Sequence, residues 1–443
     1  MDLLRQHDGL DPVIIGNQMH QFAAELYPIC RSITGAGIRR TLASIQQRIP
    51  LEINQVPTGT PVSDWTIPKE WNIRDAFIKA RDGKRIVDFQ QSNLHVVGYS
   101  TPVRTCMPLA ELRPHLFTLP DRPDWIPFRT SYYDANWGFC LSHNNLLTME
   151  EGDYEVVIDA AFEEGHLSYG ECYLPGRSSD EILISCHACH PSLANDNLSG
   201  LVVATFLARM LSGREHAYSY RFLFVPGTIG AIAWLARTRE AVARIRHGLV
   251  LACLGDAGGF HYKKSRRGDT EIDVAAAHVL RHQTEGSEVL DFYPYGYDER
   301  QYCSPGFNLA VGCLMRSVPG SFPEYHTSAD NLDFIQPSQL AGSLRVCAAI
   351  VDVLENNHRY LNRYPYGEPQ LSRRNLYPST SGGPMPVELS ARLWVLNLSD
   401  TRHSLLDIAE RSGIPFSEIQ SAAEVLCRSG LLSKVTDSGK EDS

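Results

Sequence analysis

Four short runs of almost unbroken apolar residues constrain this chain most: Ile182 to Ser185, Tyr220 to Val225, Gly248 to Leu254 and Leu309 to Met315. Apolar runs of this length suit parallel strands buried on both faces. Helix-length amphipathic stretches follow them, at Leu198 to Leu211, Ala231 to Val242, Thr270 to Thr284 and Ser338 to Asn356. Alternation of this kind predicts an α/β fold, a sheet flanked by helices. Open α/β sheets bind ligands beyond the carboxyl ends of their strands. His187, Gly227, Asp256 and the loop before His326 fall there.

The loop after the first run reads Ser185-Cys186-His187-Ala188-Cys189-His190-Pro191-Ser192-Leu193-Ala194-Asn195-Asp196-Asn197-Leu198-Ser199-Gly200. It concentrates histidine, cysteine and carboxylate in one place. With Asp256 and His326 it offers imidazole and carboxylate ligands of the kind zinc takes, and a catalytic zinc keeps a position open for water or substrate. Each residue also has a plainer role. Asp196, just before a helix, suits a cap. His190 precedes Pro191, where it serves equally as ligand, as support for a ligand or as turn former. Cys189 has the character of a small buried cysteine more than of a thiolate ligand.

These residues carry a resemblance. The stretch Ile182 to Gly200 resembles the zinc aminopeptidases with co-catalytic metals, whose pattern is an apolar strand, His-x-Asp, then Asn-Asp-Asn-x-Ser-Gly opening a helix. Asn195-Asp196-Asn197-Leu198-Ser199-Gly200 matches that loop, Leu254-Gly255-Asp256 resembles the strand-end Asp ligand, and Tyr325-His326-Thr327-Ser328-Ala329-Asp330 resembles the segment with the last His ligand. The resemblance implies His187, Asp196, Asp256 and His326 as metal ligands, with His190 a further candidate, Asp196 bridging two metals in typical members, and a cis peptide bond at Asp196-Asn197.

A narrower resemblance covers nearly the whole chain. Tyr27-Pro28-Ile29-Cys30-Arg31-Ser32-Ile33-Thr34-Gly35, Asp64-Trp65, Trp137-Gly138-Phe139-Cys140, Tyr262-Lys263-Lys264-Ser265-Arg266 and Asp298-Glu299-Arg300-Gln301-Tyr302-Cys303-Ser304-Pro305-Gly306 are similar to an aminopeptidase-like subfamily. That subfamily carries an inserted domain and a C-terminal winged helix, and is found near polysaccharide or secondary-metabolite biosynthesis genes.

Two departures bear on chemistry. Typical members have adjacent Glu residues after the next strand, one the general base and one a ligand to the second metal. The subfamily usually has Glu then Thr. This chain has Pro226-Gly227-Thr228. Thr228 therefore implies one Zn2+ rather than two, and Gly227 removes the usual base, a group that contributes about 10²- to 10⁴-fold. Cys189 also replaces the Asp that orients the metal-bound His. Glu299 and Glu324 are the candidate substitute bases, although a carboxylate on a loop is more often a solvated surface group. Arg266 and Arg300 are candidate clamps for a substrate carboxylate or phosphate, with a solvated basic loop as the alternative. Asp298, with Glu299, is a candidate partner for a substrate ammonium.

Interruptions set the expected domains: residues 1–60 and 154–364 as the zinc-hydrolase-like domain, 61–153 as a Pro-rich, aromatic, β-rich insertion, 365–386 as a linker, and 387–443 as a winged helix-turn-helix-like domain. Tyr154 to Ile158 and Gly170 to Tyr173 are expected to return the chain to the main sheet. The helix expected over Phe416 to Ser429 offers Arg428 against Glu418 and Glu424, which favours protein contact over DNA.

Of the 443 residues the net charge is −10 and the pI about 5.9, which argues against a general nucleic-acid binder. Eleven irregularly spaced cysteines suit a reducing compartment. No run of about 18 apolar residues exists to span a membrane. Met1 to Asp8 lacks the apolar core of a signal peptide. The expectation is a soluble, cytoplasmic, zinc-dependent hydrolase cleaving an amide in a small amino-acid derivative or short peptide. Homo-oligomer or partner contacts are expected through the inserted or C-terminal domain. The alternative is a catalytically altered homologue that binds a metabolite or partner in a biosynthetic pathway.

Overall fold

The computed structural model describes residues 11–377 and 385–435. Parts of the expected linker and of the C-terminal end, and the amino-terminal segment read for a signal peptide, lie outside them. The chain divides into two compact units, one of 11–270 and Gly286–Arg345, the other of Glu271–Glu285 and 346–435.

The first unit is built on an eight-stranded mixed sheet. Its order is Glu52–Pro57, His166–Leu174, Ser219–Val225, Glu181–His187, Ile245–Leu251, Val311–Met315, His261–Lys263 and Glu288–Leu290. The four middle strands are mutually parallel and hold the four apolar runs. Every residue of Glu181–His187, Ser219–Val225 and Val311–Met315 is buried, which is why these strands show no polar alternation. Helix Gly200–Leu211 follows one of them, with ten of its twelve residues buried. Helix Pro12–Leu26 starts on Asp11, whose carboxylate accepts the Val13 amide at 2.8 Å, and buries Met19, Phe22, Ala23 and Leu26 at helical spacing.

Three elements differ from expectation. The stretch Ala231 to Val242 is two helices, Ile229–Arg237 and Arg239–Arg244, broken at Thr238, whose hydroxyl bonds the Trp234 carbonyl at 2.6 Å. The third strand stops at Leu251, because Cys253 takes a left-handed backbone (φ 50°) and turns the chain. Tyr154 to Ile158 does not rejoin the main sheet. It lies in Asp153–Glu163, which pairs antiparallel with Glu70–Lys79 on one side and Val103–Pro108 on the other, in the four-stranded sheet of the insertion. Its alternating pattern satisfied two local antiparallel neighbours; His166–Leu174 makes the return to the main sheet.

In the second unit, helices Val387–Leu398, Leu405–Ser412 and Phe416–Arg428 stand with a three-stranded sheet. Ser404 and Asp407 form a reciprocal capping box, and Gly413 ends that helix in the left-handed conformation. The central strand, Arg359–Asn362, comes from before the expected linker at 365–386 and pairs with Asp400–Ser404 and Leu432–Lys434. Four residues were too short to stand out as a strand before this pairing fixed them.

Candidate metal centre

The loop after strand Glu181–His187 is held by its own polar side chains. The Asn197 amide nitrogen donates to the Leu251 carbonyl (2.9 Å) and its oxygen accepts from the Cys253 amide (3.2 Å). The Ser199 hydroxyl accepts from Leu254 N (2.8 Å), and Asn195 Oδ1 from Gly255 N (2.8 Å). The turn that ends the neighbouring strand is thus stapled to this loop. Gly200 is needed beneath it, since a Cβ there would lie 2.5 Å from the Leu251 carbonyl oxygen. The Asp196-Asn197 peptide bond is cis, as the resemblance implies, and so is Gly227-Thr228.

This scaffold presents Asp196, fully buried, between two imidazoles: Oδ1 is 2.8 Å from His187 Nε2 and Oδ2 is 3.0 Å from His326 Nε2. His190 joins His187 and Asp196, the donor atoms of these three lying within 4.8 Å of one another, while His326 stands outside that trio and reaches Asp196 alone. Burial alone would raise the Asp196 carboxyl, but His190, His187 and His326 together hold it well below the usual carboxylate range. Burial pushes the His190 imidazole down to about 3, so its ring is neutral and fit to ligate. Burial raises the Cys189 thiol to about 12, which keeps it protonated.

The donor trio His187, His190 and Asp196 fits zinc. Ligands at about 2.0 to 2.1 Å in a tetrahedron stand about 3.3 Å apart, inside the spread of that trio, and imidazole with carboxylate is a donor set zinc takes. His326 adds a third imidazole on the far oxygen of Asp196. The neighbouring rings are ordered: Tyr297 stacks on His187 (centroids 4.2 Å) and Tyr325 on His326 (3.9 Å), and the Tyr297 hydroxyl donates to Asp196 Oδ1 at 2.6 Å. Burial and the Asp196 charge keep that phenol protonated. Phe128 of the insertion packs edge-on against both His190 and His326, each at 5.2 Å, and its amide donates to the His326 carbonyl at 2.8 Å.

The other sequence candidates are placed differently. Asp256 stands outside the cluster: its Oδ1 accepts from Ser317 Oγ (2.6 Å) and Gly258 N (2.7 Å), and its Oδ2 from Asn195 Nδ2 (2.7 Å). Glu299 is buried in an ion pair with buried Lys263. Glu324 is half-buried, and its backbone carbonyl accepts from Thr327 in the turn that carries His326. Arg266 is exposed and bonds Asn308 at 2.8 Å; Arg300 is half-buried with a buried Nε that finds no acceptor among the described residues. Asp298 is fully buried, neither carboxylate oxygen has a hydrogen-bond partner among the described residues, and burial, opposed by His187, pushes it up to about 7. Tyr297 and Phe128 escaped the sequence reading. Tyr297 adjoins Asp298 in the sequence, but neither residue shows a spacing that marks a site.

Comparison with known proteins gives the family and the fold. Residues 20–357 match a family described as a domain of unknown function, DUF4910, and residues 358–434 match a winged helix-turn-helix. The chain belongs to the DUF4910 family. A DUF4910 chain of this kind is 49% identical, over 95% of its length and 97% of the relative's, to a Clostridium acetobutylicum protein named for polysaccharide biosynthesis with an aminopeptidase-like domain. A crystal structure from the same organism, named as a peptidase, superposes with a TM-score of 0.92 at 48% identity, covering 96% of this chain and 97% of that one. The zinc aminopeptidase BSAP from Bacillus subtilis is similar in fold alone, with a TM-score of 0.55 at 12% identity over 76% of this chain and 94% of that one. The DUF4910 unit therefore has a zinc-aminopeptidase-like fold and is followed by a winged helix-turn-helix. No helix among the described residues is long and apolar enough to cross a membrane.

Proposed function

We propose that this DUF4910 protein is a zinc-dependent, aminopeptidase-like hydrolase that cleaves an amide bond in a small amino-acid derivative or short peptide. The observation that carries the proposal is the buried Asp196 carboxylate, which offers one oxygen to His187 and the other to His326 with His190 beside them. His187, His190, Asp196 and His326 would hold the ion. Bound there, zinc supplies Lewis acidity toward the amide carbonyl and lowers the pKa of the attacking water.

The chain's own residues do the rest. Tyr297 fixes the Asp196 carboxylate from one side and Phe128 walls the imidazoles from the other, which limits the approach of bulk water. The relative's name supports a place in polysaccharide or other biosynthesis. All eleven cysteines are free thiols, which supports a reducing, cytoplasmic setting. The winged unit reads as a protein-contact module, since helix Phe416–Arg428 has one cationic side chain against Glu418 and Glu424.

Gly227 favours a second reading, a metal-retaining homologue that binds a metabolite or partner without turnover. Metal analysis of protein purified without chelator tests the site first. We expect about one zinc per chain, lost in His326→Ala at unchanged fold. Metal-free wild-type protein of equal stability overturns the hydrolase reading. Zinc-loaded protein that cleaves no amide in a broad panel leaves the second reading.

A further inference from the structure

We propose that Asp298 is the carboxylate that takes over proton transfer at this centre, in place of the side chain missing at Gly227. The inference rests on the hydrolase reading above and names the group that reading lacks.

The position argues first. Gly227 follows strand Ser219–Val225, and a Cβ built on it would lie 3.0 Å from His187 Cβ and 3.7 Å from Asp298 Oδ1. A side chain carried at 227 would start beside His187, and the Asp298 carboxylate, just before helix Glu299–Tyr302, already lies within contact distance of that same point. Gly227 and Thr228 line a cavity of about 90 Å³ with Trp65, Tyr132 and Tyr133 of the insertion side, and Trp65 and Tyr133 are exposed to solvent.

Availability argues second. Every other buried acid around the cluster has a partner: Asp196 has His187, His326 and Tyr297, Asp256 has Ser317, Gly258 and Asn195, Glu299 has Lys263, and Asp330 accepts the Asn195 and Asp196 amides. Asp298 is as buried as these, yet among the described residues it has neither a hydrogen bond nor an ion pair, whereas Glu299, which also accepts no hydrogen bond, has the Lys263 ammonium. A buried carboxylate without a partner is costly to keep, and a catalytic duty is one of the few reasons to keep it.

The step balances. As the water oxygen bonds the amide carbon, its proton passes to an Asp298 oxygen. As the C–N bond breaks, Asp298 returns that proton to the leaving nitrogen. Products are a carboxylate and an amine, with no other reactant.

Acetohydroxamate tests this without a known substrate, because on binding a metal it gives up a proton that some group must take. The experiment is calorimetric titration of the zinc-loaded full chain in two buffers of different ionisation enthalpy, with zinc content and thermal midpoint checked for each variant. For wild type we expect binding with almost no proton delivered to buffer. Asp298→Asn, nearly identical in shape, should deliver about one proton and bind about tenfold or more weakly. Asp298→Asn combined with Gly227→Glu should recover both values. An Asn variant with wild-type proton count and affinity overturns the proposal, and so does one that loses its zinc, since that assigns Asp298 to metal retention. Zinc-loaded wild type that binds no hydroxamate overturns the hydrolase reading along with it.

Discussion

Asp330 shows how much of the candidate centre is carried by a residue outside its histidine and aspartate cluster. Its carboxylate accepts the backbone N–H of Asn195 at 2.5 Å and of Asp196 at 3.0 Å, and its own carbonyl accepts from Ala194. Burial drives the Asp330 carboxyl up to about 8 in spite of those bonds. Asp330→Ala would leave two buried amides unpaired at about 1 to 3 kcal/mol each. We expect a thermal midpoint several degrees lower and weaker zinc retention, both read on one purified sample. A midpoint within a degree of wild type would show that the loop holds without it. Asp196, His187 and His326 were legible because their residue types and motif context are distinctive. Asp256 matched the pattern equally well, yet its two oxygens accept from Ser317, Gly258 and Asn195, and no sequence rule separates a carboxylate set between the imidazoles from one that braces their loop.

At the scale of elements, the insertion is fastened to the centre. Pro127 bridges Thr327, Ile126 N donates to Ser328 Oγ at 2.9 Å, Ser328 N to the Ile126 carbonyl at 2.8 Å, and Phe128 N to the His326 carbonyl. A short strand-like clasp thus fixes the loop of His326, itself in a left-handed conformation at φ 57°. Phe128→Ala keeps the clasp and removes the ring from His190 and His326. We expect zinc affinity to fall about tenfold, as for other groups that orient ligands, measured by competition with a chromophoric chelator; unchanged affinity would reduce the ring to packing. The sequence showed that an insertion exists through its prolines and aromatics. Gly170 to Tyr173 does return to the main sheet as expected. Tyr154 to Ile158 was misplaced, because Asp153–Glu163 is apolar enough for either sheet and only the neighbours Glu70–Lys79 and Val103–Pro108 decide between them.

At the scale of the whole molecule, the second of the two units carries its own acid-sensitive cluster. In the second, His278 Nδ1 lies 2.7 Å from Glu410, which also takes Arg281 at 2.9 Å, while His278 Nε2 accepts the Phe416 amide at 2.9 Å. That last bond requires a neutral ring. Burial lowers His278, with Glu410 in opposition; burial would raise Glu410, but His278 and Arg281 hold it below its usual value. Both folded values lie beneath the unfolded ones, so the unfolded chain binds more protons and stability rises with pH. The contribution is complete above about pH 6.5 and is lost as pH drops through the depressed values. We expect the thermal transition of this unit to fall between pH 7.5 and 5, and His278→Gln to flatten the dependence; a transition indifferent to pH would contradict the assignment. By itself, the sequence determined the parallel core, the histidine and aspartate centre beyond its strand ends, and the winged helix, because apolar runs, short motifs and caps act over a few residues. Only the tertiary structure decided which acid stands among the imidazoles and which bonds Ser317, Gly258 and Asn195, where the insertion rejoins the sheet, that Arg359–Asn362 serves the C-terminal sheet, and that Asp298 stands beside the gap at Gly227. These depend on which distant segments share one small volume, and local chemistry leaves that choice open.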